Sequence, residues 1–73
     1  MDPVRIGNRL RNARKAAGLT QEQLERLAGV SQPHISAIER GEAELPAMKA
    51  LARLAGACRI TVADLVAEEV SDG

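Results

Sequence analysis

The sequence predicts an all-α protein, a compact bundle of five short helices in a single domain spanning residues 1–73. Apolar residues recur at spacings of three and four along most of the chain, and no useful stretch alternates with the period of two that strands show. The chain is divided into five pieces by helix-breaking residues, which are Pro3, Gly18, Gly29, Pro33, Gly41 and Pro46. With 73 residues and one cysteine, the chain must build one small apolar core without a disulfide.

The first two predicted helices have clear starts and ends. The first runs from about Pro3 to Ala17, with Asp2 as its cap, and its inward stripe consists of Ile6, Leu10, Ala13 and Ala17. The second starts at Thr20-Gln21-Glu22-Gln23, a capping box in which the first and last side chains bond each other's backbone N–H groups. It ends at Gly29, where a left-handed residue is expected, and its inward residues are Leu24, Leu27 and Ala28.

The other three predicted helices are less sharply bounded. The third follows the cap Ser31, accepts Pro33 in its first turn, and points Ile35 and Ile38 inward before Gly41. The fourth begins at Pro46, and its inward residues are Met48, Leu51, Leu54, Ala55 and Cys58. The fifth begins at Thr61, extends to about residue 70, and closes the core with Leu65.

Residues 20–41 carry the pattern that indicates function. Gly29-Val30-Ser31 is a three-residue turn between two short amphipathic helices, the arrangement of a helix-turn-helix. The outer face of the second helix is left to project, and a helix fits the major groove of DNA. Its outward residues, candidates for contacting base edges or phosphates, are Gln32, Pro33, His34, Ser36, Ala37 and Arg40. Thr20 and Ser31 stand at helix N-termini, whose free N–H groups suit phosphates.

These motifs resemble the Cro/CI-type (XRE-like) helix-turn-helix family. The matching runs cover nearly the whole chain and centre on Gly18–Leu24, Gly29–Gln32 and Ile35–Gly41. The resemblance implies a lambda-repressor-like domain that binds double-stranded operator DNA as a two-fold homodimer and reads bases with its third helix. It also implies a sequence-specific transcriptional repressor of a palindromic operator, with a cytoplasmic, nucleoid-associated location of bacterial or phage type.

The same resemblance assigns roles to individual side chains. Gln21 would touch a phosphate and buttress the base contact of its neighbour, while Thr20 and Arg40 would contact phosphates. The residues at base-reading positions are Gln32, Pro33, His34 and Ala37. Arg14 and Glu39 match a pair that forms a salt bridge between the first and third helices.

The sequence departs from the family pattern at four places. Glu25 replaces an alanine that packs against the third helix, so its carboxylate must find a partner, turn outward or cost stability. Arg59 replaces a glycine before the last helix, where a left-handed backbone would be strained. Pro33 replaces a hydrogen-bonding base reader. The acids of Glu42-Ala43-Glu44 occupy a loop that is often basic in DNA-binding members, which weakens phosphate contact.

The charge distribution leaves two interpretations open. Residues 1–41 hold seven basic and four acidic residues, a net charge of +3, and residues 42–73 hold three basic and six acidic residues, a net charge of −3. The positive half suits an anionic partner, but charged helix faces also serve solubility alone. The same alternative applies to the candidate phosphate contacts on the first helix, which are Arg5, Arg9 and Arg11.

The composition argues against several other classes of function. One histidine and one cysteine cannot build a metal cage, and His34 with Cys58 is the only nucleophile–base pair, so we expect no enzyme, metal or cofactor. No apolar run is long enough for a membrane helix, and no signal peptide is apparent. We expect Cys58 to be a core residue, with a redox role as the alternative.

The fifth helix and the acidic residues raise the question of protein partners. Val62, Val66 and Val70 form a second apolar stripe that favours a homodimer interface, although a short helix could instead pack flat and bury both stripes. Two other functions stay open, an antitoxin that holds a toxin through an acidic surface and an interaction module without DNA contact. The acidic surface would consist of Glu42, Glu44, Glu68, Glu69 and Asp72.

Overall fold

Five helices follow one another in the order that the sequence predicts. The structure, a computed structural model, describes residues 2–43 and 47–67. Its helices are α1 (Pro3–Ala16), α2 (Gln21–Ala28), α3 (Gln32–Glu39), α4 (Met48–Ala57) and α5 (Val62–Val66). These two ranges contain no strand, and the predicted all-α bundle is confirmed. Over the same ranges, no helix combines the length and the apolarity needed to cross a bilayer.

The core is a single cluster of aliphatic side chains to which all five helices contribute. Its centre is fully buried and consists of Leu10, Leu24, Ile35, Leu54 and Leu65. Burying each of these side chains contributes about 1.5–3 kcal/mol. Helix α1 packs against α3 and α5, while α2 packs against α3 and α4. The pair α2–α3 is therefore anchored on one side by α1 and α4, which α5 joins to each other, and its outer face stays free.

The helix starts follow the capping signals of the sequence. The Asp2 carboxylate accepts the Val4 N–H at 3.0 Å and caps α1. Capping boxes begin α2, where Thr20 pairs with Gln23, and α5, where Thr61 pairs with Asp64. Hydrogen bonds from Thr61 hold the pKa of the Asp64 carboxyl below its usual value.

Three residues that the periodicity placed inward are exposed. Leu27 is 63% exposed because α2 rests on its neighbours through Leu24 and Ala28. Met48 is 57% exposed because it is the first residue of α4, before the turn that enters the core. Ala17 is exposed because α1 ends one residue earlier. The rule of three-and-four spacing is therefore wrong at the ends of these short helices.

The last two helices also differ from their predicted bounds. Helix α4 begins at Met48, and the predicted start Pro46 lies outside the described residues. Helix α5 ends at Val66 because the backbone of Ala67 is not helical, with φ −57° and ψ 132°. The predicted extension to about residue 70 therefore does not continue this helix, and residues 68–70 lie outside the described part. Arg59 has φ 60°, the strained left-handed geometry expected where the family pattern has glycine.

Cys58 is a core residue at the end of α4, as expected. It is 5% exposed, and burial raises the pKa of its thiol. A buried thiol with a raised pKa is a poor nucleophile, so the side chain acts as a small apolar group.

The backbones of α1 and α3 are in close contact at Gly7. A Cβ atom at this position would overlap the carbonyl oxygen of Ile38 and lie 2.9 Å from that of Glu39. Both obstacles are backbone atoms of α3, so a side chain could be accommodated only by moving the helix. Gly7 thus fixes how near the third helix lies to the first.

The variant Gly7→Ala is expected to destabilise the domain by about 1–3 kcal/mol, because overpacking must displace α3. Gly56→Ala is the matched control, since a Cβ at this helical position would meet nothing within 4 Å. It should stabilise the domain by up to about 1 kcal/mol through helix propensity. Chemical denaturation of both variants checks the prediction, and equal effects of the two substitutions would contradict it.

Candidate nucleic-acid interface

The outer face of α3 lies open at the surface. Ile35 and Ile38 point into the core, with exposures of 0% and 2%. The outward positions are exposed at Pro33, His34 and Arg40 and half-buried at Gln32, Ser36 and Ala37. All six candidates for base or phosphate contact therefore share one accessible face.

A buried ion pair joins this helix to α1. Arg14 Nε lies 2.6 Å from Glu39 Oε2, and the Arg14 Nη2 donates to Glu39 Oε1 at 2.9 Å. The two side chains are only 11% and 4% exposed. The hydrogen bond to Glu39 raises the pKa of Arg14 above its usual value, against the opposing effect of burial. Arg14 also donates to the carbonyl oxygen of Leu19 at 2.8 Å, which ties in the segment between α1 and α2.

A relay of two glutamine side chains extends from this pair to the start of α3. The Gln21 amide donates to Glu39 Oε1 at 3.1 Å, and the Gln32 amide donates to Gln21 Oε1 at 2.7 Å. Gln32 keeps its own Oε1 and one N–H for an outside partner. That donor and acceptor are the groups that bind the edge of an adenine in two places.

The N-terminus of α2 opens beside the same relay. Its capping box uses the N–H groups of Thr20 and Gln23. The N–H groups of Gln21 and Glu22 stand in the first turn, where a helix supplies no acceptor. Thr20, Gln21 and Gln32 line a shallow cleft at this point. The cleft presents donors to an anion such as a phosphate.

The N-terminus of α3 is capped in a way that the sequence analysis did not predict. Ser31 is the N-cap residue, but its side chain makes no capping hydrogen bond. Instead, Glu25 Oε2 accepts the backbone N–H of Gln32 at 3.0 Å. Glu25 therefore has the partner that a carboxylate at this position needs. The sequence did contain a signal that the Ser31 cap would be weak, because Pro33 in the first turn removes an N–H that a serine cap would use.

Arg40 at the end of α3 is partly engaged within the chain. Its Nε lies 3.0 Å from Glu42 Oε2, and its guanidinium also donates to the Ser36 hydroxyl. The side chains of the ion pair are 54% and 64% exposed. Exposed pairs of this kind contribute at most about 1 kcal/mol, so a phosphate can replace the Glu42 carboxylate.

The three basic candidates of α1 fall in different places. Arg11 lines a cleft with Gln21, Ser36 and Arg40, on the face of α3. Arg9 turns the other way and donates to the carbonyl oxygens of Leu65, at 3.3 Å, and Ala67 at the end of α5. Arg5 lies in a separate cleft beside Arg9. Only Arg11 is therefore placed with the helix-turn-helix face.

Comparisons with known proteins agree with this geometry. A family model described as "Helix-turn-helix domain" matches residues 5–68. The chain is 36% identical over 61 residues to the "Uncharacterized HTH-type transcriptional regulator y4dJ" of Sinorhizobium fredii, covering 84% of this chain and 78% of that protein.

Two solved structures show the same fold. The restriction-modification controller protein C.AhdI from Aeromonas hydrophila has a TM-score of 0.81 and 36% identity, over 88% of this chain and 96% of its own. The biofilm master regulator SinR in complex with DNA has a TM-score of 0.79 and 30% identity, over 82% of this chain and 95% of its own.

The family model covers most of the chain, and the relatives are regulators of transcription rather than enzymes. The geometry places a buttressed glutamine, the N-terminus of α2 and two arginines on one open face. The chain belongs to the XRE-like helix-turn-helix family of DNA-binding transcriptional regulators.

Proposed function

We propose that the protein is a sequence-specific repressor that binds a palindromic DNA operator as a homodimer, with α3 in the major groove. The observation that carries the proposal is the relay from Glu39 through Gln21 to Gln32, which holds the first base-reading side chain in one orientation. A side chain fixed before binding loses less conformational entropy when it meets a base edge.

Base reading would fall to the outward residues of α3. Gln32 would bind adenine N6 and N7, and Ala37 would pack on a thymine methyl group. His34 is exposed on the same face and would contact a base edge or a phosphate. Pro33 and Ser36 complete the surface, with Pro33 contributing shape rather than hydrogen bonds.

Phosphate contacts would flank this helix on both sides. Thr20 and the N–H groups of the first turn of α2 would face one strand, and Gln21 would touch the same backbone. Ser31 would contact a phosphate through its hydroxyl, which makes no capping bond, because Glu25 already binds the Gln32 N–H at the start of α3. Arg40 and Arg11, which line one cleft, would contact phosphates beyond the end of α3. Arg5 and Arg9 are less suited to this role, because they line a separate cleft on α1 and Arg9 is bound to the end of α5.

Dimerisation would use the outer side of α5. Val62 and Val66 are half-buried and pack partly on the core, so part of each side chain is left at the surface. Val70, the third residue of the predicted stripe, lies outside the described residues. Two copies joined here would present two recognition helices to half-sites about 34 Å apart.

The alternative functions gain no specific support. Of the acidic residues that would hold a toxin, Glu42 is paired with Arg40, and the remaining four lie outside the described residues. An interaction module without DNA contact would not need the part-buried relay that orients Gln32.

Selection from a random pool of duplexes should yield a palindromic operator, with binding that weakens as salt rises. Gln32→Ala should weaken operator binding by about 1–3 kcal/mol and relax the preference at one base pair of each half-site. Asn12→Ala on the exposed surface of α1 is the control and should leave the selected sequence unchanged. The proposal would be contradicted by a pool from which no operator sequence is selected, or by a Gln32→Ala variant that selects the same operator equally well.

Arg40→Ala should weaken binding to operator and random duplexes alike and lower the salt slope by about 1 for each half-site, because a phosphate contact is lost. Arg53→Ala removes the same charge from an exposed position on α4 beside Leu27 and should leave the slope unchanged. Fluorescence anisotropy titrations at four salt concentrations make the comparison. Equal slopes for the two variants would show that Arg40 meets no phosphate.

Val66→Ser should shift the monomer–dimer equilibrium toward the monomer and reduce operator affinity, since the two half-sites would be bound separately. Leu27→Ser removes an exposed apolar side chain from another surface and is the control. Sedimentation equilibrium measures the association, and thermal unfolding confirms that each variant folds. A Val66→Ser protein that associates as the parent does would contradict this interface.

A further inference from the structure

We propose that Glu25 is a positioning residue for sequence recognition, an internal anion that occupies the N-terminus of the recognition helix in place of a DNA phosphate. Its carboxylate accepts the backbone N–H of Gln32 at 3.0 Å. The inference rests on the proposed function insofar as it concerns DNA, whereas the contact itself can be tested without DNA.

Gln32 is held at two points by the helix that precedes it. Glu25 binds its backbone N–H, and Gln21 binds its side-chain amide at 2.7 Å. Both holding residues lie on α2, four positions apart and so on the same side of that helix. The backbone contact sets where the Cα of Gln32 lies, and the side-chain contact sets the direction of its amide.

No other group in the described turn accepts the backbone N–H of Gln32. The Ser31 hydroxyl makes no capping bond, and Pro33 has no N–H to offer. Loss of the carboxylate would leave the Gln32 N–H without its partner at the start of an eight-residue helix. The first turn of α3 would then sample more conformations, and Gln32 with it.

The same carboxylate has an electrostatic consequence. A helix N-terminus carries a partial positive charge that attracts phosphates, and an acidic side chain bound there offsets this charge. Glu25 therefore lowers the attraction for every duplex, whatever its sequence, while its hydrogen bond sharpens the reading of one base pair. The residue exchanges general affinity for discrimination.

Two variants separate the hydrogen bond from the charge. Glu25→Gln keeps an oxygen acceptor for the Gln32 N–H and removes the charge, whereas Glu25→Ala removes both. Glu22→Gln is the matched control, because it removes one exposed negative charge from the same helix, beside the cleft that Gln32 also lines, without breaking a hydrogen bond to Gln32. Affinities are measured for the selected operator and for a random duplex, and amide hydrogen exchange is measured at Gln32 by NMR without DNA.

Glu25→Gln should raise affinity for both duplexes by about two- to fivefold and leave their ratio within about twofold of the parent. Glu25→Ala should raise affinity for the random duplex similarly but lower the operator-to-random ratio by about fivefold or more. Exchange at Gln32 should accelerate at least about threefold in Glu25→Ala and stay near the parent rate in the two glutamine variants.

The proposal is overturned if Glu25→Ala keeps both the parent ratio and the parent exchange rate at Gln32, with the fold verified by thermal unfolding. It is also overturned if Glu25→Gln loses discrimination as fully as Glu25→Ala, because the charge alone would then act. A parent protein that selects no operator would overturn the proposed function instead, and the exchange rates would still decide whether Glu25 holds Gln32.

Discussion

The buried ion pair between Arg14 and Glu39 is the contact on which the rest of the surface depends. It connects α1 to the end of α3, and the same Glu39 carboxylate receives the Gln21 amide that begins the relay to Gln32. A buried pair of charges is weak evidence for stability, because desolvation offsets most of the attraction. Its bidentate geometry does fix an orientation, since both oxygens of the carboxylate are used and every donor approaches from a set direction. The pair therefore serves to orient α3, the helix that carries the side chains proposed to contact bases.

Position and rotation of α3 are set by different parts of the chain. Gly7 lets the backbone of α1 touch the backbone of α3, which determines the distance between the two helices. Ile35 and Ile38 fill the core beneath and determine which face points out. The polar relay joins both ends of α3 to Gln21 of α2 and so opposes rotation of the helix. A recognition helix of only eight residues needs all three constraints, because so short a helix is marginal by itself.

Much of this arrangement could be predicted from the sequence, because local signals coincided with tertiary ones. The capping boxes at Thr20 and Thr61 and the left-handed Gly29 mark boundaries through contacts within four residues, which the sequence displays directly. The wrong inward placements of Leu27 and Met48 have another origin. Helical periodicity says which residues share a face, but not which edge of that face a neighbouring helix covers.

The resemblance implied the long-range pair of Arg14 and Glu39, but two other long-range polar contacts were harder to foresee. Arg9 is one of the three candidate phosphate contacts on α1, yet its guanidinium donates to a backbone carbonyl at the end of α5. In the sequence, Glu25 is a carboxylate at a position where the family has alanine, yet in the structure it accepts the backbone N–H of Gln32 across the turn. In both cases the partner is a backbone group whose position depends on the packing of a different helix. The residue type at the partner position therefore does not predict the contact.

Charge around the recognition helix is balanced within the protein itself. Glu39 is matched by Arg14, Arg40 by Glu42, and the N-terminus of α3 by Glu25. Because these charges are paired within the protein, each would contribute less to the attraction of the phosphate backbone, which supplies most nonspecific affinity in DNA-binding proteins. Under the proposed function, discrimination would rest on base-edge contacts, which must be well oriented to contribute, and on the joining of two half-sites by a dimer. The part-buried relay and the Glu25 cap would supply that orientation.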